Sequence, residues 1–284
     1  MPLKLRAAAT SIGVNVVLLV SKILVAIITG SVGLLAECIH SSFDLFSSLL
    51  AYLGIKKASK AEDETHHYGH EKFESLSSFL QSIFILLTAA FIVYEAVQKL
   101  RHPVTVENSG IGIIFMIITI PVAYLTSRYL AKIARKEGGS HALEADSAHF
   151  TTDVLGSIAV LIGLFMVWLG YPIGDTLAAF VVAAVMLYIS CDLIHDSFHV
   201  FMDCSPPKKT MKKIENILKK TRGITYHKLR ARMAGSRIFV DVHIQVNKNY
   251  TIDKAHGVSG KIKHEIKEKI KSVKEVNTHI EPKV

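Results

Sequence analysis

Six windows of about 20 apolar residues, at about 8–29, 32–54, 76–98, 109–131, 147–169 and 173–195, constrain this chain more than any other feature. Hydrocarbon offers a backbone no water to bond with, so a run of that length crosses a bilayer as a helix. A mean hydropathy of +0.35, with half of the residues hydrophobic, is too apolar for an ordinary soluble domain. The sequence therefore predicts an α-helical membrane protein: six transmembrane helices over residues 1–203, then a small cytoplasmic domain over 204–284. Lys4 and Arg6 before the first run resemble the start of a secretory signal. Five further runs follow without a clear cleavage site, so the first run is kept as a span.

Charge sets the orientation. Six spans bring both termini to one side, and the segments 1–7, 55–75 and 128–146 share that side. They carry ten Lys and Arg residues, while the opposite loops carry only Lys99 and Arg101. The positive-inside rule then places both termini in the cytoplasm, as for a multi-pass protein of the inner (cytoplasmic) membrane. The formal charge of +9 divides unevenly, with −4 on residues 1–203 and +13 on 204–284. A basic tail that follows a span directly is better explained by cytoplasmic-leaflet lipid than by nucleic acid. Cys38, Cys191 and Cys204 form no metal-ribbon spacing, and they read as reduced and structural.

Ionisable residues inside spans are costly and mark function by default. His40 and Asp44 lie four apart in the second run, and His149 and Asp153 repeat that spacing in the fifth. Each pair shares one helix face. The second span runs inward and puts Asp44 about 15 Å from its inner end; the fifth runs outward and puts Asp153 at least about 9 Å from its start. The pairs can therefore meet at one depth, and two imidazoles with two carboxylates suit a tetrahedral divalent metal. Glu37 and Asp146 precede the two histidines by three residues, either as outer-shell or ion-path groups or simply as interfacial ones. Lys22 reads as a snorkelling or neutralising cation. Asp192, His195, Asp196 and His199 read more cheaply as a wet helix end than as a site.

Two further clusters lie outside the spans. In the loop 61–74, Asp63, His66 and His70 put one carboxylate and two imidazoles within a short turn, as a water-completed metal site or a solvated acidic loop. Beyond Pro206 and Pro207 the pattern predicts a helix at 208–221, strands at 224–233 and 237–246, a basic amphipathic helix at 252–271 and a strand at 274–281. This αββαβ order resembles ferredoxin-like metal-chaperone domains. His227, His243, His256, His279 and Glu281 are its metal-type ligands. A domain this small buries a modest core, which dimerisation would supplement.

With these residues in place, the chain resembles the cation diffusion facilitators, most closely their bacterial zinc/iron-efflux branch. The likeness rests on the six spans with their HxxxD pairs, the run His66-His67-Tyr68-Gly69-His70-Glu71-Lys72-Phe73-Glu74, and the closing His279-Ile280-Glu281-Pro282. It implies a homodimer that exports divalent metal from the cytosol in exchange for protons. Carried over, His40, Asp44, His149 and Asp153 correspond to the transport site, and Asp63, His66 and His70 to a loop site. His227, His243, His256, His279 and Glu281 correspond to cytoplasmic sites near the dimer interface, and Lys72 with Asp203 to a charge pair at the base of the membrane domain. Some relatives carry Asp where this chain has His40, and Asp where it has Glu281. Imidazole favours Zn²⁺ as substrate and regulatory ligand, with Fe²⁺, Cd²⁺, Co²⁺ and Mn²⁺ as alternatives. No Gly-rich phosphate loop is present, which argues against a nucleotide-driven pump, and no nucleophile–base arrangement suggests an enzyme.

Overall fold

In the computed structural model the chain divides into two compact units, Met1–Phe198 and His199–Val284. The structure describes the backbone of residues 2–29, 32–101, 110–169, 171 and 173–283. It describes their side chains except those of 25, 26, 28, 29, 32–37, 39, 40, 99, 110–116, 160, 164, 167, 168 and 175.

The first unit is built from six long helices: α1 (Leu3–Thr29), α2 (Val32–Ala58), α3 (Lys72–Arg101), α4 (Gly110–Lys136), α5 (His141–Trp168) and α6 (Ile173–Phe201), whose last turn enters the second unit. Each helix runs past its apolar window at the end carrying the 59–71 and 137–140 loops, and α3 also does so at its other end. α5, for instance, begins at His141 where its window begins at 147. Backbone hydrogen bonding continues after the apolar residues stop, because a helix needs lipid-like side chains only where lipid surrounds it. Among the described residues, three helices have a stretch long and apolar enough to cross a membrane: Leu3–Leu24, Lys72–Gln98 and Thr176–Phe201. The six helices are 27–30 residues long, and among the described residues three of them carry such an apolar stretch.

Polarity in this unit is inverted. Val17, Ile27, Leu87, Phe91, Leu125 and Val181 are exposed, while Ser11, Asn15, Ser48, Gln81 and Asp146 are buried. Apolar tails offer no advantage to burying more apolar surface, so helices here associate through small residues and hydrogen bonds. α2 and α3 approach closely at Gly54, where a Cβ would lie 2.4 Å from Ser77 Cβ. There the Ser77 hydroxyl donates to the Leu50 carbonyl at 2.7 Å. Ser127 of α4 meets Ser147 and Thr151 of α5 at 3.1 and 2.8 Å. At the loop end, buried Glu74 accepts Lys4 Nζ at 2.9 Å and Ser140 Oγ at 2.8 Å, which ties α3 to α1 and to the α4–α5 turn.

The second unit holds α7 (Lys208–Lys220), β1 (Ile224–Ala234), β2 (Arg237–Val246), α8 (Ile252–Lys269) and β3 (Val273–Pro282), the αββαβ order that the sequence predicts. Relative to a complete βαββαβ ferredoxin arrangement, this order has no opening strand among the described residues. The sheet order is β1-β2-β3, antiparallel between β1 and β2 and parallel between β2 and β3. Alternation decides the faces. Ile238, Val240, Val242 and Ile244 of β2 pack with Ile214 and Leu218 of α7 and with Ile262 and Ile266 of α8. The other face of the strand carries Asp241, His243 and Gln245.

Candidate metal sites

The first site lies between α2 and α5. Asp44, His149 and Asp153 each bring a ligand atom within 4.8 Å of the others, and Asp44 and His149 are almost wholly buried. The i, i+4 spacing on α5 puts His149 and Asp153 on one face, while Phe150 and Val154 turn inward to the packed core. His149 Nε2 stands 3.1 Å from Asp44 Oδ1. Neither ring nitrogen makes a hydrogen bond among the described residues. Two carboxylates around such an imidazole form a donor set that a divalent cation would complete. His40 lies on α2 one turn before Asp44; its side chain, like that of Glu37, lies outside the described residues. Lys22 of α1 donates to Ser41 of α2 at 2.8 Å, beside this site.

The second site is the loop cluster Asp63, His66 and His70. His66 Nδ1 lies 3.2 Å from Asp63 Oδ1, and His70 Nε2 lies 3.2 Å from Asp63 Oδ2. His70 Nδ1 lies 3.2 Å from the Ala61 carbonyl, which can only accept, so this nitrogen carries a hydrogen and the ring is oriented with Nε2 toward Asp63. The Thr65 hydroxyl at 2.8 Å, with the backbone N–H groups of His66 and Thr65, holds the Asp63 carboxyl far below the usual carboxylate range. The anion is therefore present before any metal arrives. Thr65 escaped the sequence reading, although Asp63-Glu64-Thr65 carries the Asx-turn signal that would have found it.

The third site crosses the cytoplasmic sheet. The register pairs His227 with His243 and His243 with His279, so three imidazoles form a row over three strands. Their ring centroids stand 5.2 and 4.6 Å apart. Glu281 closes the row: Oε1 lies 2.8 Å from His243 Nδ1, and Oε2 lies 3.2 Å from His227 Nε2. The hydrogen bond with His243, helped by the charge of His227, holds its carboxyl below the ordinary range. His227, His243 and Glu281 make a compact three-ligand group, with His279 Nε2 3.7 Å from the carboxylate. A register shift after His227, with Lys228 at φ 49°, bends β1 beside this row.

Several singled-out residues stand elsewhere. His256 is exposed on α8, which packs on the opposite face of the sheet, and it does not join the histidine row. His195 and Asp196 are exposed with 3.6 Å between them, as the wet helix end predicts. Asp203 pairs with Arg232 at 3.2 Å. All three cysteines are free. A polar group between α1, α2 and α5, made of Ser11, Asn15, Ser48 and Asp146, lies fully or almost fully buried beside the first site. Of these, the sequence reading weighed only Asp146, because serines and asparagines inside apolar runs are too common to single out.

Comparison with known proteins identifies the lineage. Residues 8–202 match the cation efflux transmembrane domain, and residues 206–283 match the cation efflux protein cytoplasmic domain. An uncharacterized transporter of Methanocaldococcus jannaschii is 31% identical over 94% of this chain and 94% of its own length. The cation-efflux pump FieF of Shewanella oneidensis is 30% identical over 89% of this chain and 86% of its own. Among solved structures, the metal-bound C-terminal domain of the CzcD transporter from Thermotoga maritima is 24% identical, covering 26% of this chain and 87% of that one, with a TM-score of 0.26. The transmembrane helical unit, the α/β domain after it and the relatives matched along almost the whole length make this chain a member of the cation diffusion facilitator family of cation-efflux transporters.

Proposed function

We propose that the protein is a proton-coupled antiporter that exports divalent metal, foremost Zn²⁺, from the cytosol through the site at Asp44, His149 and Asp153, completed by His40. In this reading residues 1–203 form a six-span transport domain with both termini in the cytoplasm, in a bacterial inner membrane. Residues 204–284 form a ferredoxin-like metal-sensing domain, and the protein works as a homodimer. The observation that carries the reading is the triad, buried at Asp44 and His149 and half-buried at Asp153, in which two carboxylates and an imidazole from two membrane-domain helices converge. Metal binds these ligands only when the imidazole is neutral and the carboxylates are ionised, so protons and metal compete for the same atoms. Protonation on the outward side then expels the ion, and deprotonation toward the cytosol readies the site again. Asp63, His66 and His70 would hold a loop metal. His227, His243, His279 and Glu281, with His256 apart on α8, would read cytosolic metal through the α/β domain.

The test is Zn²⁺ uptake into proteoliposomes with and without an imposed pH gradient. Uptake that grows with the gradient, and its loss in a folded Asp153→Ala protein, are the expected results. Flux that ignores the gradient would make the protein a passive channel. Metal binding without flux would make it a non-transporting partner.

A further inference from the structure

The buried polar group beside the triad has a direction. The Ser48 hydroxyl donates to Asp146 Oδ1 at 2.7 Å, so Ser48 Oγ itself can only accept from Ser11, at 2.7 Å, and from Asn15 Nδ2, at 2.8 Å. Donation from α1 and α2 thus runs toward the α5 carboxylate and fixes its Oδ1. Asn15 Nδ2 also lies 3.4 Å from the Asp44 carbonyl, which joins the group to the triad. The second oxygen, Asp146 Oδ2, is buried without a hydrogen-bond partner among the described residues. An uncompensated buried carboxylate is costly, so the site is built for a cation that comes and goes.

Position supports a route. α2 and α5 run antiparallel: Ser48 is four residues past Asp44 on one, and Asp146 is three residues before His149 on the other. Both steps lead toward the end of the helices that carries the 59–71 and 137–140 loops, by about 6 and about 4.5 Å of helix rise. The ligands change on the way. The triad offers an imidazole, whereas this group offers the open oxygen of the Asp146 carboxylate, a hard ligand that holds a zinc-like ion more loosely, while Asn15 turns its Nδ2 to Ser48. Looser binding beside a tighter site is what passage requires.

We propose that Asp146 Oδ2, on a carboxylate held in place by Ser48 with Ser11 and Asn15 behind it, forms a second, oxygen-based cation station one helical turn from the triad, through which a divalent ion passes between the loop end and Asp44, His149 and Asp153. The proposal rests on the transport reading above, and its tests separate the two. In proteoliposomes containing full-length protein, Asp146→Asn raises KM for Zn²⁺ at least tenfold, while Zn²⁺ affinity of the triad in detergent changes less than threefold. Asp146→Glu, which keeps the charge, holds KM within threefold of wild type, whereas Ser48→Ala, which keeps the carboxylate but removes its hydrogen-bond donor, raises KM by less than Asp146→Asn does. Equal losses in Asp146→Asn and Ser48→Ala would make the group a packing lock, and an unchanged Asp146→Asn KM would likewise overturn the station. A direct measurement needs no variant: anomalous scattering from wild-type crystals soaked in Mn²⁺ should place an ion against Asp146 Oδ2. Density at the triad with none at Asp146 refutes the proposal. If wild-type vesicles move no Zn²⁺ at all, the transport reading fails, and the anomalous map alone judges the station.

Discussion

Replacing Asp44 by Asn separates a metal ligand from a structural residue, because the two roles predict different outcomes. Asn keeps the shape and removes the charge. The ligand atoms of Asp44 and Asp153 lie within 4.8 Å, so two ionised carboxylates there repel by about 3.5 kcal/mol at an effective dielectric constant of about 20. Neutralising one relieves this repulsion in the metal-free protein but also removes the charge that faces His149 at 3.1 Å, so the two effects offset and the metal-free protein should melt close to wild type. With metal the offset is lost. Removing one partner of a buried charge pair costs about 3–5 kcal/mol, or roughly two to four decades in Zn²⁺ affinity. At a Zn²⁺ concentration of about 100 times the wild-type Kd, binding stabilises wild type by about 2.7 kcal/mol; a Kd about 100-fold weaker leaves about 0.4 kcal/mol. The difference corresponds to roughly 5–9 °C in melting temperature for a unit of this size. Both proteins retain the loop and cytoplasmic clusters, so their contributions cancel in the comparison. The assay is thermal melting of purified protein in detergent across a Zn²⁺ titration. A metal-free Asp44→Asn protein that melts several degrees low, or one that keeps the full Zn²⁺ shift, would refute the ligand assignment.

Three other outcomes are expected. Gly54→Ala places a methyl 2.4 Å from Ser77 Cβ and 3.1 Å from the Phe73 carbonyl; overpacking of about 1–3 kcal/mol outweighs the helix-propensity gain of about 1 kcal/mol, so chemical unfolding should show a loss of about 0–2 kcal/mol. Glu281 has a folded-state pKa below the ordinary 4.5, so its contribution to stability is present above that value and lost as pH falls through the depressed one. At pH 5 the carboxylate therefore remains charged, and scattering of residues 204–284 should show Zn²⁺-induced compaction at pH 7 that disappears by pH 5 through imidazole protonation alone; a response unchanged at pH 5 would remove the histidine row from the site. His40→Asp replaces a borderline ligand by a hard one and should widen transport toward Cd²⁺ and Mn²⁺ in a metal panel, whereas an unchanged preference for Zn²⁺ would mean that site geometry selects the ion.

What the sequence determined by itself was local. The apolar windows specify six long helices, and a spacing of four places His149 beside Asp153 on one face of α5. A spacing of three and four gathers Asp63, His66 and His70 in one loop, and strand alternation sets His243 opposite the core face of β2. These follow from the periods of helix and strand, which any single segment carries in its own residues. Partners from different segments were decided only by tertiary structure. The rotation of α2 against α5 brings Asp44 to 3.1 Å from His149. The strand register aligns His227, His243 and His279 while leaving His256 on α8 apart. Asp146 acquired Ser11, Asn15 and Ser48 as neighbours because α1 and α2 turn their small polar residues inward. Periodicity names the face of an element but not the face it meets, and that choice is made by the packing of all the helices together.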